Sequence, residues 1–168
     1  MPRRALALCL ALAACAAPPP PAIGYRYGAA LISSSAAFDP ARFVDGWHVA
    51  AAYGDEARCG PLAETWAPTG PGRYRVTGTA CGPSGARALA TDAVVTGPGR
   101  ITRDEAGGPA ELWVLWVDAD YRVAVIGTPS GRFGRVLSRT PEVRPDLMQA
   151  ARDVLKFNGY DPAGLQPI

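Results

Sequence analysis

The feature that most restricts the fold of this chain is its punctuation. Turn chemistry recurs at short intervals, at Thr69-Gly70-Pro71-Gly72, Gly82-Pro83-Ser84-Gly85, Gly97-Pro98-Gly99, Ala119-Asp120 and Pro129-Ser130-Gly131. These residues tolerate tight reversals or positive φ. The apolar or alternating runs between them are too short for core helices and read as strands over 47–53, 61–66, 73–80, 87–95, 100–104, 111–118, 121–127 and 133–138. Eight consecutive strands joined by short connections close into an antiparallel up-and-down barrel, which leaves no exposed edge. The fold class is therefore all-β. Beyond this hairpin rhythm no longer repeat is evident.

After the last strand the period changes. Leu147, Met148, Ala151, Val154 and Leu155 recur at helical spacing, with Pro145 at the start and Asn158-Gly159 at the end. One apolar stripe implies a C-terminal helix packed on the outside of the barrel.

The N-terminus reads as a leader. Pro2-Arg3-Arg4 is basic, and the apolar run from Ala5 to Ala14 is far shorter than the ~20 residues of a spanning helix. Its end, Leu12-Ala13-Ala14-Cys15, resembles a bacterial lipobox, which makes residues 1–14 a lipoprotein signal peptide and Cys15 the lipidation site. A plain secretory signal cut elsewhere is the alternative. Two or more acyl chains on Cys15 would give a stable anchor without a span. Ala16 follows, where an Asp marks inner-membrane retention in many such lipoproteins, so the resemblance implies an outer-membrane, periplasm-facing address. Pro18 to Pro21 favour a stiff polyproline spacer. Residues 15–37 form the tether and an extended segment, and 38–168 the folded domain.

Cysteine arithmetic then leaves Cys59 and Cys81, expected to pair in an oxidising compartment. No CxxC or Cys/His cluster suggests a metal, and no cofactor is implied. The formal charge of +2 includes Arg3 and Arg4, so the domain without its leader is near neutral and lacks the basic excess of a nucleic-acid binder.

Three further signals are Gly46-Trp47 opening the first strand, Val117-Asp118-Ala119-Asp120-Tyr121 between two apolar runs, and Leu137-Ser138-Arg139-Thr140-Pro141 before the helix. In combination they resemble the lipocalin family, closest to bacterial lipocalins made as outer-membrane lipoproteins, from about Phe38 to Ile168. The resemblance implies a cup for a small apolar molecule, with Trp47 and Arg139 plugging its floor, the guanidinium over the indole. Asp45 stands where the family's motif has glycine. Small residues in the middle strands suggest a shallow cup.

Strand periodicity places candidates around that cup. An inward Arg139 puts Phe133, Arg135 and Leu137 on the same face, and an inward Trp47 does the same for Val49, Ala51 and Tyr53. Arg135 would favour an acidic head, as in a fatty acid or lysophospholipid, unless a bulge turns it to solvent. Trp113 and Trp116 lie on opposite parities of an all-apolar run and are either ligand contacts or core. Asp118 and Asp120 read as turn formers. His48 is the sole histidine, and no nucleophile motif accompanies it. The expected function is storage or transport of a small apolar ligand. A filled barrel used for envelope maintenance or docking is the alternative, ahead of an enzyme.

Overall fold

The computed structural model describes residues 22–105 and 108–168. The leader, Cys15 and the proline spacer lie outside the described residues. Eight strands form the barrel: β1 (Asp45–Ala52), β2 (Ala63–Gly70), β3 (Arg73–Gly82), β4 (Gly85–Gly97), β5 (Arg100–Glu105), β6 (Gly108–Val117), β7 (Val123–Gly127) and β8 (Gly134–Ser138). Each pairs antiparallel with the next, and β8 returns to pair with β1. Among the described residues, five connections are short and fall at or near the turn clusters. A longer connection joins β1 to β2 through a 3-10 turn, Gly54–Cys59.

That connection is tied down covalently. Cys59 is disulfide-bonded to Cys81 at the end of β3, across 22 residues of sequence. The turn is thereby held across one end of the barrel, which we call the mouth.

The pairing departs from strict alternation in two places that matter. On β1, Val136 opposes Ala51 while Leu137 opposes Val49, so Ala50 is an extra, bulged residue. On β6, Val114 opposes Ile126 while Trp116 opposes Val125, so Leu115 is bulged. A bulge reverses which face the following side chains occupy. Two apolar clusters result. One fills the barrel and includes Trp47, Val49, Ala52, Leu62, Trp66, Val76, Leu112, Val114, Ile126 and Leu137. The other lies outside, where Ala51, Tyr53, Leu115, Val123, Val125 and Val136 are covered by the helix and the tail.

The helix, α1 (Pro145–Phe157), buries Ala151 and Leu155 against that outer wall. It stops at Gly159, whose φ of +84° suits a left-handed C-terminal residue, and Tyr160 N–H bonds Leu155 O at 2.9 Å. Beyond it the tail adds Gln166–Pro167 alongside Ala51 and Ala52, covering β1 where β2 no longer accompanies it. The N-terminal segment is packed too. Ser35 N–H bonds Val114 O at 2.7 Å, and the buried Arg26 guanidinium donates to Asn158 O and Pro129 O, each at 3.1 Å.

The closed end, the floor, is aromatic. Phe43 packs on Trp47 and Trp66, and Trp66 on Tyr74. The Arg139 guanidinium lies 3.7 Å from the Trp47 ring centroid and donates to the carbonyls of Arg42, Val44 and Gly46. Asp118 builds the adjacent turn by accepting N–H bonds from Arg122 and Val123. Burial raises its pKa, but these bonds and Arg122 outweigh it and hold the carboxyl below its ordinary range. Asp45, at the family's glycine position, has a φ of +74°.

Two outcomes are expected. Asp45→Gly should raise the unfolding free energy by up to about 1 kcal/mol in urea titration, because it removes the left-handed penalty on a side chain. Reducing the disulfide, or replacing both cysteines by Ser, should lower it by about 3 kcal/mol in the same assay, as a loop of this length predicts.

Candidate functional site

Above the aromatic floor the barrel axis is occupied by charge. Glu64 on β2, Arg103 on β5 and Arg135 on β8 all point inward, with 2%, 5% and 3% of their surface exposed. The Glu64 carboxylate accepts from Trp66 Nε1 at 3.0 Å, from Arg103 at 3.2 Å, and from Arg135. Arg135 also forks onto Glu56 of the Gly54–Cys59 turn, with Nε 2.6 Å from one carboxylate oxygen. Its guanidinium stands 4.8 Å from the centroid of the Phe133 ring.

Two acids thus meet two arginines in a place with little water. Burial pushes the Glu64 pKa up, but the charges of Arg103 and Arg135 and the Trp66 bond outweigh it and hold the carboxyl below its usual range. Burial likewise pulls Arg135 down, and its bonds to Glu56 and its attraction to Glu64 more than reverse this. Both shifts favour the ionised forms of Glu64 and Arg135. Burying one of them unpaired would cost several kcal/mol, so the cluster is stable only as a set.

Between this cluster and solvent is a cavity of about 260 Å³ at the mouth. It is lined by Arg87, Arg103 and Arg135 with Glu56, and on its apolar side by Leu112 and Phe133. A second cavity of about 450 Å³ shares Ala110, Thr128 and Phe133 with it and continues toward Pro129 and Arg132. Phe133 therefore stands between a cationic recess and a more open groove beside the β7–β8 connection. Among the described residues no group of three or more His, Cys, Asp or Glu side chains is placed to hold a metal ion.

The structure distributes the sequence candidates unequally. Val49, Arg135 and Leu137 lie inside the barrel, and Phe133 borders the mouth. Ala51 and Tyr53 correct the expectation of an inward face, because the bulge at Ala50 turns both to the outer cluster. Tyr53 stacks on Tyr25 there and donates to Asp161 O at 2.9 Å. Burial, helped by Asp161, raises its hydroxyl pKa. Trp113 and Trp116 are also outside. Trp113 carries the Arg100 guanidinium 4.4 Å from its centroid and bonds Glu111, and neither indole reaches the mouth cavity. Arg135 itself is inside the cup, but as a neutralised member of a network and not as a spare cation.

Glu64, Arg103 and Glu56 were not anticipated. The signal for two of them was present: Leu62-x-Glu64-x-Trp66 and Ile101-x-Arg103 put an acid and a base on the inward parity of neighbouring apolar residues.

Glu64→Gln should cost about 3–5 kcal/mol at pH 7, since it leaves Arg103 and Arg135 without their shared counter-charge. The native carboxyl titrates below its unfolded value of about 4.3, so its contribution is present above that pH and is lost as pH falls through the lower, folded value. Denaturant titrations of both proteins should therefore converge in acid and diverge toward neutrality.

A family model described as Lipocalin-like domain matches residues 90–168. Temperature-induced lipocalin-1 of Arabidopsis thaliana is 35% identical over 51 residues, which is 30% of this chain and 27% of that protein. The match thus spans about a quarter of the relative's length. Among solved structures, lobster apocrustacyanin A1 superposes with a TM-score of 0.61 at 13% identity, covering 77% of this chain and 78% of that one. The siderocalin Ex-FABP gives 0.59 at 21%, covering 76% and 93%. H1 crustacyanin of Homarus americanus gives 0.59 at 13%, covering 80% and 88%. The chain has the lipocalin fold, and its C-terminal half carries the match to the Lipocalin-like domain.

Proposed function

We propose that this chain is a lipocalin of the bacterial outer-membrane lipoprotein type, tethered through Cys15 and facing the periplasm. Its ligand is a small amphiphile with an acidic head, of the fatty-acid or lysophospholipid class, held at the mouth of a largely filled barrel. The observation that carries this reading is the mouth cavity, cationic on one side and apolar on the other. Its volume lies just below the range of about 300–1,000 Å³ usual for whole small-molecule pockets. That size fits a head group and the first part of a chain. Deeper entry is closed by Glu64, Arg135 and the aromatic floor, so the rest of an acyl chain passes over Phe133 into the second groove.

Specificity follows from charge. Glu56 and Glu64 balance Arg103 and Arg135, and Arg87 adds a further positive charge at the exposed rim. An anionic head meets a net attraction there. A filled interior also suits the docking-type alternative, in which no small molecule is held.

Mass spectrometry of an organic extract of the purified protein, beside titration with fluorescent fatty acids and lysophospholipids, separates the two. Saturable binding is expected, and Arg87→Glu should weaken it about tenfold at low salt without lowering the melting temperature, because Arg87 is exposed. Arg135→Ala is the wrong probe, since it should unfold the network. No extractable lipid and no saturable binding would favour the docking reading.

A further inference from the structure

The large apolar side chains most exposed among the described residues are Tyr25, Tyr27, Leu31 and Phe157, and all four belong to one region. Leu31 is 90% exposed and Phe157 80%. The backbone joins them. Tyr27 N–H bonds Gly159 O at 2.9 Å, and Ser33 N–H bonds the Asn158 side-chain oxygen at 2.9 Å, so Leu31 rises from a loop pinned on both sides to the residues after Phe157. Ala30 sits so close to Gly159 that a Cβ added there would meet it at 2.4 Å. A small protein rarely leaves such a cluster bare without a partner.

Its position says which partner. Ala22 pairs with Tyr27, so the chain enters the fold within the cluster. Cys15 is seven residues earlier, a reach of at most about 25 Å even fully extended. An eight-residue barrel strand is about as long. The same end of the molecule carries the mouth: Tyr25 N–H bonds Gly131 O at 2.7 Å beside the β7–β8 connection, and Tyr160, next in sequence to Gly159, bonds Thr128 and Phe133. Lys156 adjoins Phe157 and adds a cation suited to anionic head groups.

We propose that Leu31 and Phe157, flanked by Tyr25 and Tyr27, insert shallowly into the bilayer that holds the lipid anchor, setting the barrel mouth against the membrane surface. The proposal rests on the tethered-lipocalin reading and deepens it. The half-exposed Tyr27 suits an interface, where a ring meets acyl chains and a hydroxyl meets water. Tyr25, stacked on Tyr53, ties the patch to the barrel, and Leu31 and Phe157 add contact area to a fixed anchor. An amphiphile would then pass between bilayer and mouth groove without crossing open solvent.

The test uses the full lipidated chain in vesicles of phosphatidylethanolamine and phosphatidylglycerol. Leu31→Cys, Phe157→Cys and, as a reference at the floor, Ala119→Cys are each labelled with bimane, then exposed to lipid spin-labelled near the head-group end of its chain. Quenching at 31 and 157 should exceed that at 119 by about twofold or more. Equal quenching at all three overturns the proposal while leaving the anchor intact. Loss of membrane association in Cys15→Ala, read by fractionation, tests the anchor separately. If the wild type itself is not membrane-bound, the tethered reading fails, and absence of quenching when vesicles are added to the soluble protein overturns the insertion as well.

Discussion

One shared carboxylate organises the interior of this barrel. Glu64 draws Arg103 and Arg135 from the strands β5 and β8 onto β2, and Arg135 in turn holds Glu56 of the turn that crosses the mouth. Three strands that are not neighbours are thereby fixed to each other across the lumen, at a level where an open cup would be empty. A buried ion pair is weak evidence for net stability, because its desolvation offsets much of its attraction. What it does supply is exclusivity. No member tolerates loss of its partners, so the strands have one arrangement in which all four charges are satisfied.

The network also sets the depth of the site. Below it, Trp47, Trp66, Phe43 and Tyr74 occupy the floor, and above it lies the recess beside Arg87 and Phe133. A ligand confined to the rim can exchange without unpacking the core. The disulfide from Cys59 to Cys81 anchors the turn that carries Glu56, so the covalent link and the ion pairs act on the same segment. The mouth, the end of α1 and the entry point of Ala22 converge at one pole, and the Trp47–Arg139 plug stands at the other. The molecule is polar along its axis, with proposed binding, proposed tethering and exposed apolar surface at one end and aromatic packing at the other.

Two single-residue insertions govern what the walls present. Without the bulge at Ala50, Tyr53 would project into the mouth; with it, Tyr53 joins Tyr160 and Tyr25 on the outside and helps seat the tail and the N-terminal segment. The bulge at Leu115 lets Leu115 and Trp116 both face the helix side. A strand with apolar residues on both parities was bound to be covered on both faces, yet only pairing with a real neighbour decides where the alternation slips.

Much was legible in the sequence by itself because it depends on local chemistry. Turn clusters marked five of the hairpins, the 3.6-residue stripe marked α1, and Leu62-x-Glu64-x-Trp66 already carried an acid to the inward face, though its meaning needed partners. The spacing of motifs likewise pointed to the lipocalin fold, and the odd residue in them, Asp45, stands where the backbone turns left-handed. Tertiary structure alone decided the rest. Whether Arg135 is a free cation or a neutralised one depends on Glu56 and Glu64, 79 and 71 residues away in sequence. Whether Ala51, Tyr53, Trp113 and Trp116 face the ligand or the helix depends on register across strand pairs. Local sequence sets the periodicity of a strand, whereas the sidedness and charge balance of a closed barrel arise from contacts between strands that no short window contains.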